Sequence, residues 1–200
     1  MKLLFITTTL VVILSLTTLA FAQNNPADFS ACGNSAVAKQ LAKYIIEDNQ
    51  QRRAAIHCNA QLSELAEQKA KLMLEFGLVT HNLDGSPNAR LRDGGYPLPD
   101  YYGDDFNSNQ VEAIAGGYAS AKDVWQAFKS SKDHRTHLLG EHEFYLEQNE
   151  IGVAFIKEWS SPHVEYWVVY LTKSANRADR QVDTSKDMPN KSDFILLNNK

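Results

Sequence analysis

Residues Leu62–His81 read LSELAEQKAKLMLEFGLVTH, and this stretch decides how the chain folds. Leu62, Leu65, Ala66, Met73 and Phe76 recur at i, i+3, i+4, i+11 and i+14, one face of a 3.6-residue period. The spacing predicts a helix that starts near Asn59 and stops at Gly77, a residue suited to the left-handed turn that ends many helices. A short extended segment then delivers His81. Glu112 follows in VEAIAGG and His134 in FKSSKDHRTHLL. Two imidazoles and a carboxylate on separate elements meet only if the tertiary structure brings them together.

Outward from that helix, Ser35 is placed to cap an earlier helix running to about Arg53, with Val37, Leu41, Tyr44 and Ile45 at helical spacing. His81 to Gln110 is dominated by Gly, Pro, Asn, Asp and Tyr, and reads as a long loop without clear elements. Val111–Ala115 reads as a short strand. Ser120–Ser130 reads as a helix with Ser120 capping and Asp123 at the third position, an imperfect capping box. A short helix around His134–Leu139 stops at Gly140. Ile151–Ile156 and Val164–Thr172 are apolar runs joined by Glu158–Pro162, the pattern of an antiparallel hairpin. Interleaved helices with a strand hairpin predict an α+β fold, a mixed, largely antiparallel sheet covered by helices. Gly94-Gly95 and Gly116-Gly117 lack the spacing of a phosphate-binding loop.

The ends bound the domain. Residues 1–22 have a basic start at Lys2, an apolar run and Ala20-Phe21-Ala22, the pattern of a secretory signal peptide. Cleavage there leaves 178 of the 200 residues. The expected organisation is therefore signal peptide 1–22, one domain at 23–172 and a polar tail at 173–200. With Lys2 removed, 19 basic residues face 24 acidic ones. That balance speaks against a nucleic-acid groove as the main business of the chain. No second segment is long enough to span a bilayer, so the expected location is secreted, extracellular or periplasmic. In an oxidising compartment Cys32 and Cys58 are expected to form a disulfide. Two buried free thiols are the alternative. A lipid anchor on Cys32 is rejected, because Phe29 is a poor match and a polar-leaning stretch separates it from the apolar run.

From about residue 50 to 172 the chain resembles the CAP superfamily of cysteine-rich secretory, antigen-5 and group-one pathogenesis-related proteins, in its compact bacterial-type, SCP-like branch. The resemblance rests on L-x-x-L-A-x-x-x-A-x-x-M in Leu62–Met73 and on Arg92 with Gly95-Tyr96. It continues through Glu112-Ala113-Ile114-Ala115, then Phe128, Ser131, His134 and Arg135, and the strands at Ile151-Gly152-Val153 and Tyr166-Trp167-Val168. Ala113 stands where the family commonly has asparagine, and Phe128 where it has tryptophan. The resemblance implies an α-β-α sandwich with a central cleft lined by His81, Glu112 and His134. A second glutamate of the larger relatives falls near Ser131, so the metal set is incomplete.

Two neutral imidazoles and a carboxylate are zinc ligands that leave a position for water, and such water is acidified into a nucleophile. His81 and His134 are thus candidate ligands for Zn2+ or another divalent cation. The plainer alternative is a polar cavity in which both hydrogen-bond Glu112 and water. Glu112 between apolar neighbours is costly to bury unpaired; a nearby histidinium would stabilise it, which predicts proximity to His134. Ser131 is counted with His81, Glu112 and His134 as cleft-lining, but it lacks any feature supplying an oxyanion hole and reads as a helix-end hydrogen-bonding residue. Arg135 reads as a salt-bridge residue, His137 and His142 as surface or helix-end residues, and His57 and His163 as background. Asp100, Asp104 and Asp105 read as a solvated acidic loop rather than a calcium site. Tyr96, Tyr101, Tyr102 and Tyr118 either wall a ligand groove or pin the long loop to the core. Trp125 and Trp167 read as core, and Trp159 as partly exposed.

The functional expectation is a secreted CAP-domain module binding a lipid or sterol, a peptide or a protein. The competing expectation is a metal-dependent hydrolase using His81, Glu112 and His134.

Overall fold

The computed structural model describes residues 28–175. The expected signal peptide and nearly all of the expected tail lie outside the described residues. The chain has an α+β architecture around a four-stranded mixed sheet of order β1-β3-β4-β2. The strands are β1 (His57–Cys58), β2 (Glu112–Gly116), β3 (Glu150–Lys157) and β4 (Glu165–Thr172). β1 runs parallel to β3, while β3–β4 and β4–β2 are antiparallel. The helices are α1 (Ala36–Ile46), α2 (Ala60–Phe76), α3 (Pro87–Asp93), α4 (Ala121–Ser130), α5 (Lys132–Leu139) and α6 (Glu143–Leu146).

The period-2 alternation of β4 divides the core. Trp167, Val169 and Leu171 pack with α1, α4 and α5, and Tyr166, Val168 and Tyr170 pack with α2 and α3. Every residue of β4 is buried, as expected of a strand covered on both faces. The result is three layers, helices on each side of one sheet.

α2 forms where its periodicity places it. The Asn59 side chain accepts from Leu62 N at 3.0 Å, and Gly77 takes φ 64° while Leu78 N bonds back to Met73 O at 3.0 Å. This backbone conformation costs a side chain energy and glycine little. α2 presses on β3 so closely that a Cβ at Gly152 would lie 2.2 Å from Ser63 N. The sheet-to-helix distance in this layer therefore depends on a missing side chain.

Several expectations are corrected. α1 ends at Ile46 rather than near Arg53, because Asp48 starts a turn: its side chain accepts from Gln50 N at 2.9 Å and its carbonyl from Gln51 N. Such local bonds compete with helix continuation. The stretch between His81 and Gln110 is not without elements. It holds α3, with Ser86 as cap and Pro87 in the first turn, and a 3₁₀ turn at Asp100–Tyr102. β1 and α6 are too short to have produced a periodic signal. Val37 and Phe76, expected on buried faces, are exposed.

The cysteines form the Cys32–Cys58 disulfide, which ties the segment before α1 to β1. Trp125 and Trp167 lie in the core and Trp159 is 77% exposed. Tyr96 and Tyr102 are buried and hold the long loop. Tyr101 is half-buried and Tyr118 partly exposed.

Candidate functional site

His81 follows the C-terminus of α2, and Glu112 opens β2. Glu112 pairs with Tyr170 and Ile114 with Val168 across the β2–β4 ladder, so the Glu112 side chain shares the sheet face that α2 covers. His81 Nδ1 lies 2.8 Å from Glu112 Oε1. An ionised carboxylate can only accept, so the hydrogen of this contact sits on His81 Nδ1. Both residues are buried.

Asn109 frames the pair. Its Oδ1 accepts from Glu112 N at 2.9 Å, and its Nδ2 donates to Glu112 O at 3.2 Å and lies 3.1 Å from His81 Nδ1. Lys69 reaches the same place from α2, donating to Thr80 O at 2.8 Å and His81 O at 2.7 Å. Burial alone would push the Glu112 carboxyl upward. The Lys69 ammonium, the His81 hydrogen bond and charge, and the neighbouring Tyr170 hydroxyl outweigh it and hold the group below the ordinary carboxylate range. Burial in turn lowers Lys69, partly offset by Glu112.

His134, on α5, is half-buried and its ring packs 4.7 Å from that of Phe128. Burial, then the nearby charge of His81, lowers its pKa to about 4. It is therefore neutral at ordinary pH. The imidazole that contacts the Glu112 carboxylate is that of His81, reached on the sheet face that α2 covers. Among the described residues the buried His134 Nε2 lacks a hydrogen-bond partner, whereas the Tyr170 hydroxyl and the Glu112 carboxylate interact with each other. Buried polar groups are nearly always satisfied by protein, water or ligand. Ser131 joins α4 to α5 and its side chain does not cap α5.

The donor chemistry fits a two-imidazole cation site. His81 would offer Nε2, with Glu112 behind it as the carboxylate that orients a ligating histidine, and His134 would offer its unpartnered Nε2. Among the described residues no group of three or more His, Cys, Asp or Glu is arranged to hold a metal ion. In such a site Glu112 would orient His81, and solvent would complete the shell.

Of the remaining residues, Arg135 forms the expected ion pair, with Glu141 at 3.0 Å, and His142 caps α6. His137 is not a surface residue. It is buried, its Nε2 donates to Leu171 O at 2.9 Å, and burial lowers its pKa to about 3. Its helix packs on β4, which the sequence around it did not signal. Asp100, Asp104 and Asp105 are exposed.

Sequence reasoning missed three contributors. Lys69 falls at i+7 from Leu62, inside the apolar stripe, and a lysine there signals a buried charge seeking a partner. Asn109 carried no signal beyond lying in the loop. Arg53 is buried and donates to the carbonyls of His137 at 2.6 Å and Leu138 at 3.0 Å, so it holds the last turn of the helix that carries His134.

No family model matches the chain, and no curated protein matches it. Among solved structures the chain is similar to an outer surface protein from Borrelia burgdorferi. The match has a TM-score of 0.51 and 21% identity, and covers 68% of this chain and 92% of that one. The likeness shows a shared α+β fold.

Proposed function

We propose that the chain is a secreted binding module of the CAP superfamily whose His81–Glu112–His134 cleft receives a ligand, with His81 and His134 as donors for a divalent cation such as zinc. The observation that carries this reading is the buried His134 Nε2, without a hydrogen-bond partner among the described residues, together with a histidine whose Nδ1 is already committed to Glu112. Two further supports are the ordered motifs of the resemblance and a fold shared with a protein described as an outer surface protein. No helix of the described residues is long and apolar enough to cross a membrane, which is compatible with export. The ligand classes the resemblance implies are lipids or sterols, peptides and proteins.

A metal-dependent hydrolase using the same three residues is the second reading. The contact between His81 and Glu112 favours it, because a carboxylate orients an imidazole for proton transfer. Calorimetric zinc titration of the parent against His81→Ala and His134→Ala separates the outcomes. Binding at micromolar zinc that is lost in both variants, without hydrolytic activity, supports the module. Activity lost in parallel with zinc supports the hydrolase. A flat titration in the parent removes the cation from both.

A further inference from the structure

β2 ends the sheet on one side, with β4 as its only neighbour in the strand order. No helix or other strand of the described residues packs extensively along it. Residues of an antiparallel pair alternate between exchanging hydrogen bonds with the partner strand and turning their N–H and C=O away from it. Leu171 N donates to Val111 O at 2.9 Å, and Gly117 N to Glu165 O at 3.0 Å. With Glu112 opposite Tyr170, this phase turns Ala113 and Ala115 toward β4 and Glu112, Ile114 and Gly116 toward the outer edge. The rung at Glu112 is already filled. The Asn109 carboxamide accepts from Glu112 N at 2.9 Å and donates to Glu112 O at 3.2 Å, so an amide sits where the peptide group of an added strand would. At Ile114 and Gly116 no described residue supplies such a backbone partner.

We propose that the outer edge of β2 docks an extended peptide, whose backbone pairs with Ile114 and Gly116 and runs toward Asn109. The Asn109 carboxamide lies 3.1 Å from His81 Nδ1, so the docked chain ends beside the candidate site. The inference rests on the reading of that cleft as a ligand site, and among its ligand classes it selects a peptide.

Chemistry and size decide the occupant. Donors and acceptors alternating along a strand edge are matched in register by another extended backbone, whereas a lipid tail offers neither. The Ile114 side chain is already packed with the α2 layer, so docking at its backbone leaves the core as it is. Gly116 is partly exposed. From Ile114 to Gly116 the free edge is only about 7 Å long, and Asn109 closes it at Glu112. A stable dimer needs about 800 Å² from each partner, far more than two rungs of a shared sheet supply. A peptide of a few residues fits the same edge.

The test is amide hydrogen exchange of the intact, metal-free protein, read residue by residue by nuclear magnetic resonance. Without peptide, Ile114 and Gly116 should exchange roughly tenfold faster or more than Ala113 and Ala115. Equal protection would mean a covered edge and overturn the proposal. Protection that rises with protein concentration would assign the edge to a second copy, and overturns it too. A phage-displayed random heptapeptide library then supplies the probe. Its enriched peptide should slow exchange at Ile114 and Gly116 roughly tenfold or more. Only one edge of an added strand faces β2. N-methylation of the peptide backbone at alternate residues should therefore weaken binding roughly tenfold in one phase and leave it unchanged in the other. A library without a binder, a bound peptide that leaves both amides unprotected, or N-methyl effects without that alternation each overturn the proposal. Zinc is absent throughout, so a flat zinc titration ends the cation reading and leaves peptide docking standing. Zinc uptake without peptide docking does the reverse.

Discussion

Nδ1 of His81 sits 2.8 Å from Oε1 of Glu112, although 31 positions separate the two residues. Their union depends on α2 ending where it does and on β2 entering the sheet beside β4, with Glu112 directly opposite Tyr170. The pair is buried with the Lys69 ammonium nearby, and most of what can be tested about the site follows from that burial.

Glu112→Gln keeps the shape but removes the charge, leaving Lys69 buried with no carboxylate. Removing one partner of a buried ion pair typically destabilises by about 3–5 kcal/mol. Urea unfolding should therefore show a loss of about 3 kcal/mol. A change below about 0.5 kcal/mol, the range of an ordinary surface substitution, would show that the carboxylate is not charge-coupled to its surroundings.

Stability should fall on acidification. His134 and His137 have folded-state pKa values of about 4 and about 3, below their unfolded value of about 6.5. Between those limits the unfolded chain binds more protons, so stability is full above about pH 6.5 and declines toward pH 4 and below. Glu112, held low in the folded state, acts in the same direction. Its contribution is present above the unfolded carboxyl pKa and is lost as pH falls through the lower folded one. Chemical denaturation at pH 7, 5.5 and 4.5 should give successively lower stabilities, and the opposite order would contradict the burial of neutral imidazoles.

Gly152→Ala places a methyl group against the backbone of α2, where the nearest atom would be 2.2 Å away. The atoms met are backbone N and C, which cannot swing aside, so the helix must shift from the sheet. Overpacking of this kind costs about 1–3 kcal/mol or more. A thermal midpoint lowered by several degrees is expected, and an unchanged one would mean that α2 is not packed this tightly.

Replacing both Cys32 and Cys58 by alanine opens a cross-link spanning 26 positions, worth about 3.5 kcal/mol on the chain-entropy account. The site lies on α2, β2 and α5 rather than on the tied segment. Stability should fall by up to that amount while the His81 ring signals stay as in the parent. Altered His81 signals would mean that the N-terminal segment shapes the cleft.

Much of the fold was legible because its signals are local. The period of Leu62–Met73, the helix start near Asn59, the Ser120 cap and the Gly77 stop each act within a few residues, and all appear in the structure. The β3–β4 hairpin and the two core tryptophans were legible for the same reason. α3 was missed although Ser86-Pro87 announces a helix start, because Leu91 alone gave too little apolar periodicity to register. α1 was drawn too long because nothing apolar marks the turn that Asp48 makes.

His81, Glu112 and His134 could be picked out as candidates from their motifs, but which of them pairs with which could not. That choice depends on the sheet face a strand presents and on the helix layer packed against it, and both are set by contacts between segments far apart in the chain. The same holds for the burial of Lys69 and His137, which look like ordinary surface residues when read singly. Local periods and caps are written into consecutive residues, so the chain alone specifies its helices and strands. Charge states depend on every group that burial brings near, so those of Glu112 and Lys69 belong to the folded molecule.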